Sequence, residues 1–185
     1  MKKIALVAMS LCIAWGASAQ KGFKLASPNG RVTTEIELGQ QLTYSISLDG
    51  EEVMDDSPIG MTLTTGEVWG QNPKLKSKKT QKVDQMIPSP MYRAKELRDN
   101  YNALTLVFKG DYAVEFRAYD DGIAYRLSTT RKTPFNIQKD NTAFKFDDDD
   151  DVIASYVRED YKAGDFTAQF GSSFENLYSE YKVKD

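Results

Sequence analysis

The stretch LTLVFKGDYAVEFRAYDDGIAYRL, residues 104–127, is the most regularly patterned part of the chain and predicts its fold. Apolar and polar residues alternate within three short runs, which is the period of a strand with one buried face. The runs are separated by Lys109-Gly110-Asp111 and Asp120-Asp121-Gly122, whose residue types are typical of tight turns. We therefore expect three consecutive antiparallel strands.

A second hairpin is predicted upstream. Residues 31–38 and 42–48 both alternate between apolar and polar side chains, and Gly39-Gln40 lies between the two runs. Asn29-Gly30 and Asp49-Gly50 flank the pair, and such dipeptides tolerate the positive φ angles of tight turns. Both apolar faces of this hairpin should point toward the same core.

Shorter alternating segments complete the pattern. Ile59, Met61 and Leu63 continue it after the hairpin, and Phe144 and Phe146 predict another short strand. No window keeps apolar residues at the spacing of a helix. The fold class is therefore all-β, and the architecture that we expect is an antiparallel β-sandwich.

The first 19 residues have the pattern of a secretory signal peptide. Lys2 and Lys3 precede the apolar run 4–15, and the small residues 17–19 supply a cleavage site. The run is too short to span a bilayer, so we expect no membrane partner. We expect residues 20–185 to form the mature chain, located outside the cell or in the periplasm.

Composition excludes several function classes. The chain has 24 Lys and Arg against 27 Asp and Glu, a formal net charge of −3, and loss of Lys2 and Lys3 makes it more negative. This balance argues against nucleic acid as a partner. Histidine is absent, and the single Cys12 lies in the signal segment, so Ser-His-Asp, Cys-His and His-ligated metal chemistry are excluded.

Two charged segments have more than one interpretation. Residues 66–98 are rich in lysine, which favours a solvated surface over an acidic-partner site. The acidic run 147–151 could bind a hard cation such as calcium, but it lacks the glycine spacing and terminal glutamate of a calcium loop. A solvated loop is the preferred interpretation of the acidic run.

Two further residue sets invite a carbohydrate interpretation. Asp120, Asp121 and Arg126 resemble the residue types of acid and base catalysis, but adjacent strand residues point to opposite faces, so a turn is preferred. Four tyrosines could form a platform for sugar rings, although strand tyrosines usually pack in a core or at its rim. They are Tyr44, Tyr112, Tyr119 and Tyr125.

Several motifs resemble one known family. Residues 25–30 (LASPNG), 100–102 (NYN), 116–126 (FRAYDDGIAYR) and 173–178 (SFENLY) are similar to the N-terminal domain of glycoside hydrolase family 97. These enzymes are secreted α-galactosidases and α-glucosidases of Bacteroidetes. The resemblance covers residues 24–178, and FRAYDDG is its most specific part.

The resemblance implies an architecture larger than this chain. The family joins an N-terminal super-sandwich, similar to galactose mutarotase, to a catalytic (β/α)8 barrel and a small C-terminal β-domain. We expect the chain to stop before the barrel, with its sandwich incomplete at the C-terminal end and its new edges prone to self-association. No catalytic residue can be assigned, and the chain alone should be inactive.

One metal ligand is implied by the resemblance. Glu175 matches a family glutamate that reaches over the barrel and helps to hold calcium beside the bound sugar. Calcium takes six to eight oxygens, so Glu175 would need barrel carboxylates as co-ligands. The implied partners are the barrel of the same chain and an oligosaccharide substrate, with α-galactosides slightly favoured. The alternative is a free-standing carbohydrate-binding β-sandwich without catalysis.

Overall fold

A computed structural model describes residues 21–91, 93–155 and 178–184, and this part of the chain contains strands but no helix. The strands are β1 Lys21–Ala26, β2 Val32–Leu38, β3 Leu42–Leu48, β4 Glu51–Ile59, β5 Met61–Leu63, β6 Val68–Trp69, β7 Leu75–Pro88, β8 Glu96–Phe108, β9 Tyr112–Tyr119, β10 Gly122–Thr129, β11 Ile137–Asp140, β12 Asp151–Ser155 and β13 Tyr178–Lys182. The all-β prediction is confirmed. No helix in the described ranges is long and apolar enough to cross a membrane.

Two antiparallel four-stranded sheets form the body of the fold. The first sheet has the order β1-β2-β3-β4, and the second has the order β10-β9-β8-β7. A smaller sheet has the order β11-β5-β6, and β12 pairs with β13. The predicted hairpin is β2–β3, and the predicted meander is β8–β9–β10.

The core lies between the two large sheets. Strand β1 lies over β8, and β2 lies over β9 and β10. The buried faces match the predicted alternation: Ile36, Leu106, Val114 and Phe116 are each fully buried. Their polar neighbours along the strands point away from this core, as the two-residue period requires.

The predicted turns have the backbone geometry that their residues allow. Asp49 and Gly50 have φ angles of 53° and 89°, and Gly110 and Asp111 have φ angles of 97° and 60°. Gly, Asn and Asp adopt this left-handed region at lower cost than other residues. The sequence interpretation of these two turns is confirmed.

One hairpin is longer than the sequence pattern predicts. β8 begins at Glu96, whereas alternation became visible only from Leu104. Only residues 102–107 of β8 pair with β9, so the first six residues of the strand pair with β7 alone. Residues 96–98 and nearly all of β7 are exposed on both faces, which removes the contrast that alternation depends on.

The strand predicted from Phe144 and Phe146 is wrong. Residues 141–147 run beside β4 and bond to it through the Ala143 N–H and the Lys145 carbonyl, but they form no regular strand, and both phenylalanine side chains are exposed. The reason lies in β4, where Pro58 has no N–H to donate and Asp56 has a φ angle of 44°. The Lys145 N–H therefore donates to the Ser57 hydroxyl, at 2.9 Å, instead of to a backbone carbonyl.

Candidate functional site

The outer face of the meander carries a group of charged and aromatic side chains. Strands β8, β9 and β10 direct one set of side chains into the core, and the alternate set faces outward. We use the name outer-face cluster for the outward residues that contact one another: Asp99, Tyr101, Glu115, Arg117, Tyr119 and Arg126. Sequence analysis singled out only Tyr119 and Arg126 from this group.

Arg117 occupies the centre of the outer-face cluster. Its Nε donates to Glu115 Oε1 at 2.7 Å, and its guanidinium lies 4.5 Å from the centre of the Tyr101 ring. Tyr119 packs on Tyr101, with 5.1 Å between ring centres, and its hydroxyl donates to Asp99 Oδ1 at 3.1 Å. Beside these groups is a shallow cavity of about 180 Å³.

The electrostatics of the outer-face cluster do not favour acid and base catalysis. The Tyr119 hydroxyl and the Glu115 carboxylate raise the pKa of Arg117, and burial raises the pKa of Tyr119. Arg117 is therefore charged at neutral pH and Tyr119 is not. Arg126 Nη2 lies 3.7 Å from the same Glu115 oxygen, so two guanidinium groups offset this carboxylate. The arrangement is suited to contact with another protein surface, where Arg and Tyr are enriched.

The carboxylates that suggested catalysis belong to a turn. Asp120 and Asp121 connect β9 to β10. Asp120 Oδ1 accepts the Asn29 N–H at 2.9 Å, which joins this turn to the turn between β1 and β2. The turn interpretation is confirmed, and Asp120 has a structural partner.

The four tyrosines do not form an open platform. Tyr44 and Tyr112 are buried in the core, and Tyr125 packs edge-on against Tyr44 with 5.4 Å between ring centres. Tyr119 faces outward, but Tyr101 and Arg117 lie against it. The packing interpretation is therefore confirmed, which disfavours the carbohydrate-binding alternative.

The acidic run lines a cleft beside β4. The cleft has a volume of about 590 Å³ and is bordered by Asp55, Asp56 and residues 145–149. Lys184 Nζ lies 3.0 Å from Asp149 Oδ1, and Lys182 Nζ lies 2.6 Å from Asp151 Oδ1. Within residues 21–91, 93–155 and 178–184, no group of three acidic side chains could hold a metal ion.

An ion pair that sequence analysis missed fixes the segment after β10. Arg131 Nη2 donates to both carboxylate oxygens of Glu67, at 2.7 and 2.6 Å, and Trp69 Nε1 donates to the same carboxylate at 2.9 Å. The hydrogen bond from Arg131 lowers the pKa of Glu67. The two partners are 64 positions apart, so no local sequence signal joins them.

Glu175 and its neighbours 173–177 lie outside the described residues, and the structure resumes at Tyr178 in β13. The signal segment 1–19 lies outside them as well. The calcium expectation therefore remains a prediction.

Comparison with known proteins identifies relatives over nearly the whole chain. The family model described as glycosyl-hydrolase 97 N-terminal matches residues 25–185. The retaining α-galactosidase of Bacteroides thetaiotaomicron is 46% identical over 183 residues, which cover 99% of this chain and 28% of that protein. The chain thus spans just over a quarter of this relative.

Solved structures show the same fold. A glycoside hydrolase family 97 enzyme from a Pseudoalteromonas species, in complex with panose, matches 88% of this chain and 25% of its own. The TM-score is 0.71 at 19% identity. A β-arabinopyranosidase matches 85% of this chain and 26% of its own, with the same TM-score and identity.

Proposed function

The chain belongs to glycoside hydrolase family 97, as an N-terminal domain of that family, and on this basis we propose that it is the supporting β-sandwich of a secreted α-glycosidase. The proposal is carried by the 46% identity to a retaining α-galactosidase over 99% of the chain. That identity favours α-galactosides over α-glucosides as substrates of the whole protein.

Carboxylates in and beside the outer-face cluster favour a structural role for this domain over a catalytic one. Glu115 is paired with Arg117 and lies near Arg126, and Asp120 accepts a backbone N–H, so these carboxylates are engaged in structural contacts. A glycosidase needs two carboxyl groups on opposite sides of the scissile bond, one of them free to transfer a proton. We infer that this chemistry belongs to a catalytic barrel, on which the sandwich packs.

Glu175 is the proposed contribution of this chain to the active site. A carboxylate is the donor type that calcium prefers, but one side chain supplies at most two of the six to eight oxygens. Carboxylates of the barrel would complete the coordination. When bound, calcium would supply Lewis-acid polarisation, and Glu175 would help to position it.

The proposed function is tested with the purified chain and with a chimera. The chimera joins residues 1–185 to the polypeptide that follows the matched region in the Bacteroides thetaiotaomicron relative. We expect no turnover of nitrophenyl α-galactoside or α-glucoside by the chain alone, and hydrolysis of the α-galactoside by the chimera. Turnover by the chain alone would contradict the proposal.

A matched pair of variants tests Glu175. In the chimera, Glu175→Gln should lower activity and raise the calcium concentration needed for half-maximal activity. Glu180→Gln, an exposed position in β13, should leave both quantities unchanged. Equal effects of the two substitutions would refute a calcium role.

Binding of galactosides without turnover, by the chain alone, would favour the free-standing carbohydrate-binding alternative.

A further inference from the structure

The second large sheet has two edges, and one of them is protected against strand pairing. The β7 edge is exposed along nearly its whole length and ends at Pro88. Its lysine side chains are Lys76, Lys78, Lys79 and Lys82. Lysines and proline on an edge strand are the residues by which proteins prevent another chain from pairing there.

The β10 edge has neither device. The strand sequence is GIAYRLST, with no lysine and no proline, and its ladder to β9 occupies one side of the strand only. No other strand in the described part of the chain pairs with β10. Ile123, Tyr125 and Leu127 pack against the core but are only half-buried, so their outer flanks remain in water.

The opposite sheet extends past β10. Because β2 lies over β9 and β10, and Tyr44 of β3 already packs on Tyr125 of β10, the β4 side of the first sheet extends past the last strand of the second sheet. On the inner face of β3, Ile46 is half-buried and Leu48 is 44% exposed. Apolar side chains from both sheets therefore border the space next to β10.

We propose that the β10 edge, which is unpaired within the described residues, receives a strand from the polypeptide that follows the matched region in the longer family members. A sheet edge binds an extended segment through backbone hydrogen bonds, and the neighbouring pockets select its side chains. The segment should carry apolar residues at alternate positions, directed toward Ile46 and Leu48. The inference rests on the proposed function because it requires a longer polypeptide. This chain matches 28% of the α-galactosidase relative.

Amide hydrogen exchange in the chain and in the chimera tests the proposal. In the chain alone, peptides that cover residues 122–129 should exchange faster than those of β9, which is paired on both sides. In the chimera, exchange at residues 123–127 should slow by about tenfold or more, and exchange along β7 should stay within about twofold. Unchanged exchange at β10, or new protection at β7, would overturn the proposal.

Two lysine variants of the chimera distinguish strand pairing at β10 from a general effect of added charge on this strand. Leu127→Lys places a charge on the inner face, where an added strand would bury it, and should abolish the new protection. Ser128→Lys adds the same charge on the exposed outer face and should preserve it. Loss of protection in both variants, or in neither, would contradict the assignment. A thermal melt of the parent chain with each substitution checks that both still fold.

The outcomes distinguish this inference from the proposed function. Protection at β10 in an inactive chimera would support the strand pairing and contradict the glycosidase role. An active chimera with an unprotected β10 would support the glycosidase role and contradict the strand pairing. Protection that appears in the chain alone would also overturn the proposal. Its rise with concentration would identify a second copy as the occupant, and its independence of concentration would identify a segment of the chain itself.

Discussion

The two edges of the second sheet, β7 and β10, differ in almost every property that governs strand pairing. β7 is long, exposed and rich in lysine, whereas β10 is short, half-buried and free of lysine. Both edges are unpaired within the described residues. An edge that carries several lysines is built to remain bare, and an edge whose inner face is apolar and lies beside a core is suited to being covered. This difference is the basis for the proposal that a further strand pairs with β10 and not with β7.

The largest expected difference is in the stability that is lost when a side chain near each edge is truncated. Phe116→Ala, in the strand beside β10, should lower the free energy of unfolding by about 3–5 kcal/mol, because the side chain is fully buried and contacts Tyr44 and Tyr125. Met86→Ala, on β7, should change it by less than about 0.5 kcal/mol, because Met86 is 56% exposed. Urea unfolding measures both values. Similar losses at the two positions would show that β7 is part of the core.

A smaller effect should distinguish the carboxylates near the two edges. Glu67 pairs with Arg131 after β10, and Asp84 pairs with Arg98 on the β7 arm; the pKa of each carboxyl is lowered, first by its arginine hydrogen bond. A lowered folded pKa gives stability that is present above the ordinary value, 4.5 for Glu67, and is lost as pH falls through the folded value. Glu67→Gln should therefore destabilise the chain at pH 7 and weaken its acid sensitivity.

The matched control for that prediction is Asp84→Asn. Both members of the Asp84 pair are largely exposed, so salt should screen this interaction, whereas the less exposed Glu67 pair should resist screening. Thermal melts from pH 3 to pH 7, in low and in high salt, measure the two dependences. The expected order would be reversed if high salt diminished the stability lost in Glu67→Gln and left the loss in Asp84→Asn unchanged.

The smallest expected effect tests the protection of β7 itself. Replacing Lys79 and Lys82 with threonine should raise the self-association of the chain, because these substitutions remove charge from an exposed edge. Lys109→Thr, in the turn before β9, is the matched control and should have no such effect. Sedimentation velocity over a concentration series measures the change. Equal behaviour of the two variants would mean that the lysines do not protect the edge.

The sequence predicted those parts of the fold in which one face of a strand is buried and the other is not. The meander and the β2–β3 hairpin meet this condition. The outer part of the β7–β8 arm does not, because β7 and residues 96–98 are exposed on both faces. The strand predicted from Phe144 and Phe146 was wrong for a different reason. The apolar alternation is present in the sequence, but Pro58 in the neighbouring strand prevents a regular ladder.

The candidate site was less accessible to sequence reasoning than the fold. Tyr101 and Arg117 lie 16 positions apart and meet only because β8 and β9 are paired. The Glu67–Arg131 pair depends on contacts between segments 64 positions apart. Family motifs supplied the domain assignment, since FRAYDDG and its neighbours combine turn and strand residues in a specific order. Glu175 rests on such a motif alone and remains a prediction.

The central claim is that this sandwich is completed at β10 by polypeptide that follows it in the family. A crystal structure of the chimera tests the claim most directly. The account predicts a further strand hydrogen-bonded to the side of β10 that faces away from β9, with apolar side chains over Ile46 and Leu48, and no strand added to β7. An uncovered β10, with a strand added to β7 instead, would contradict it.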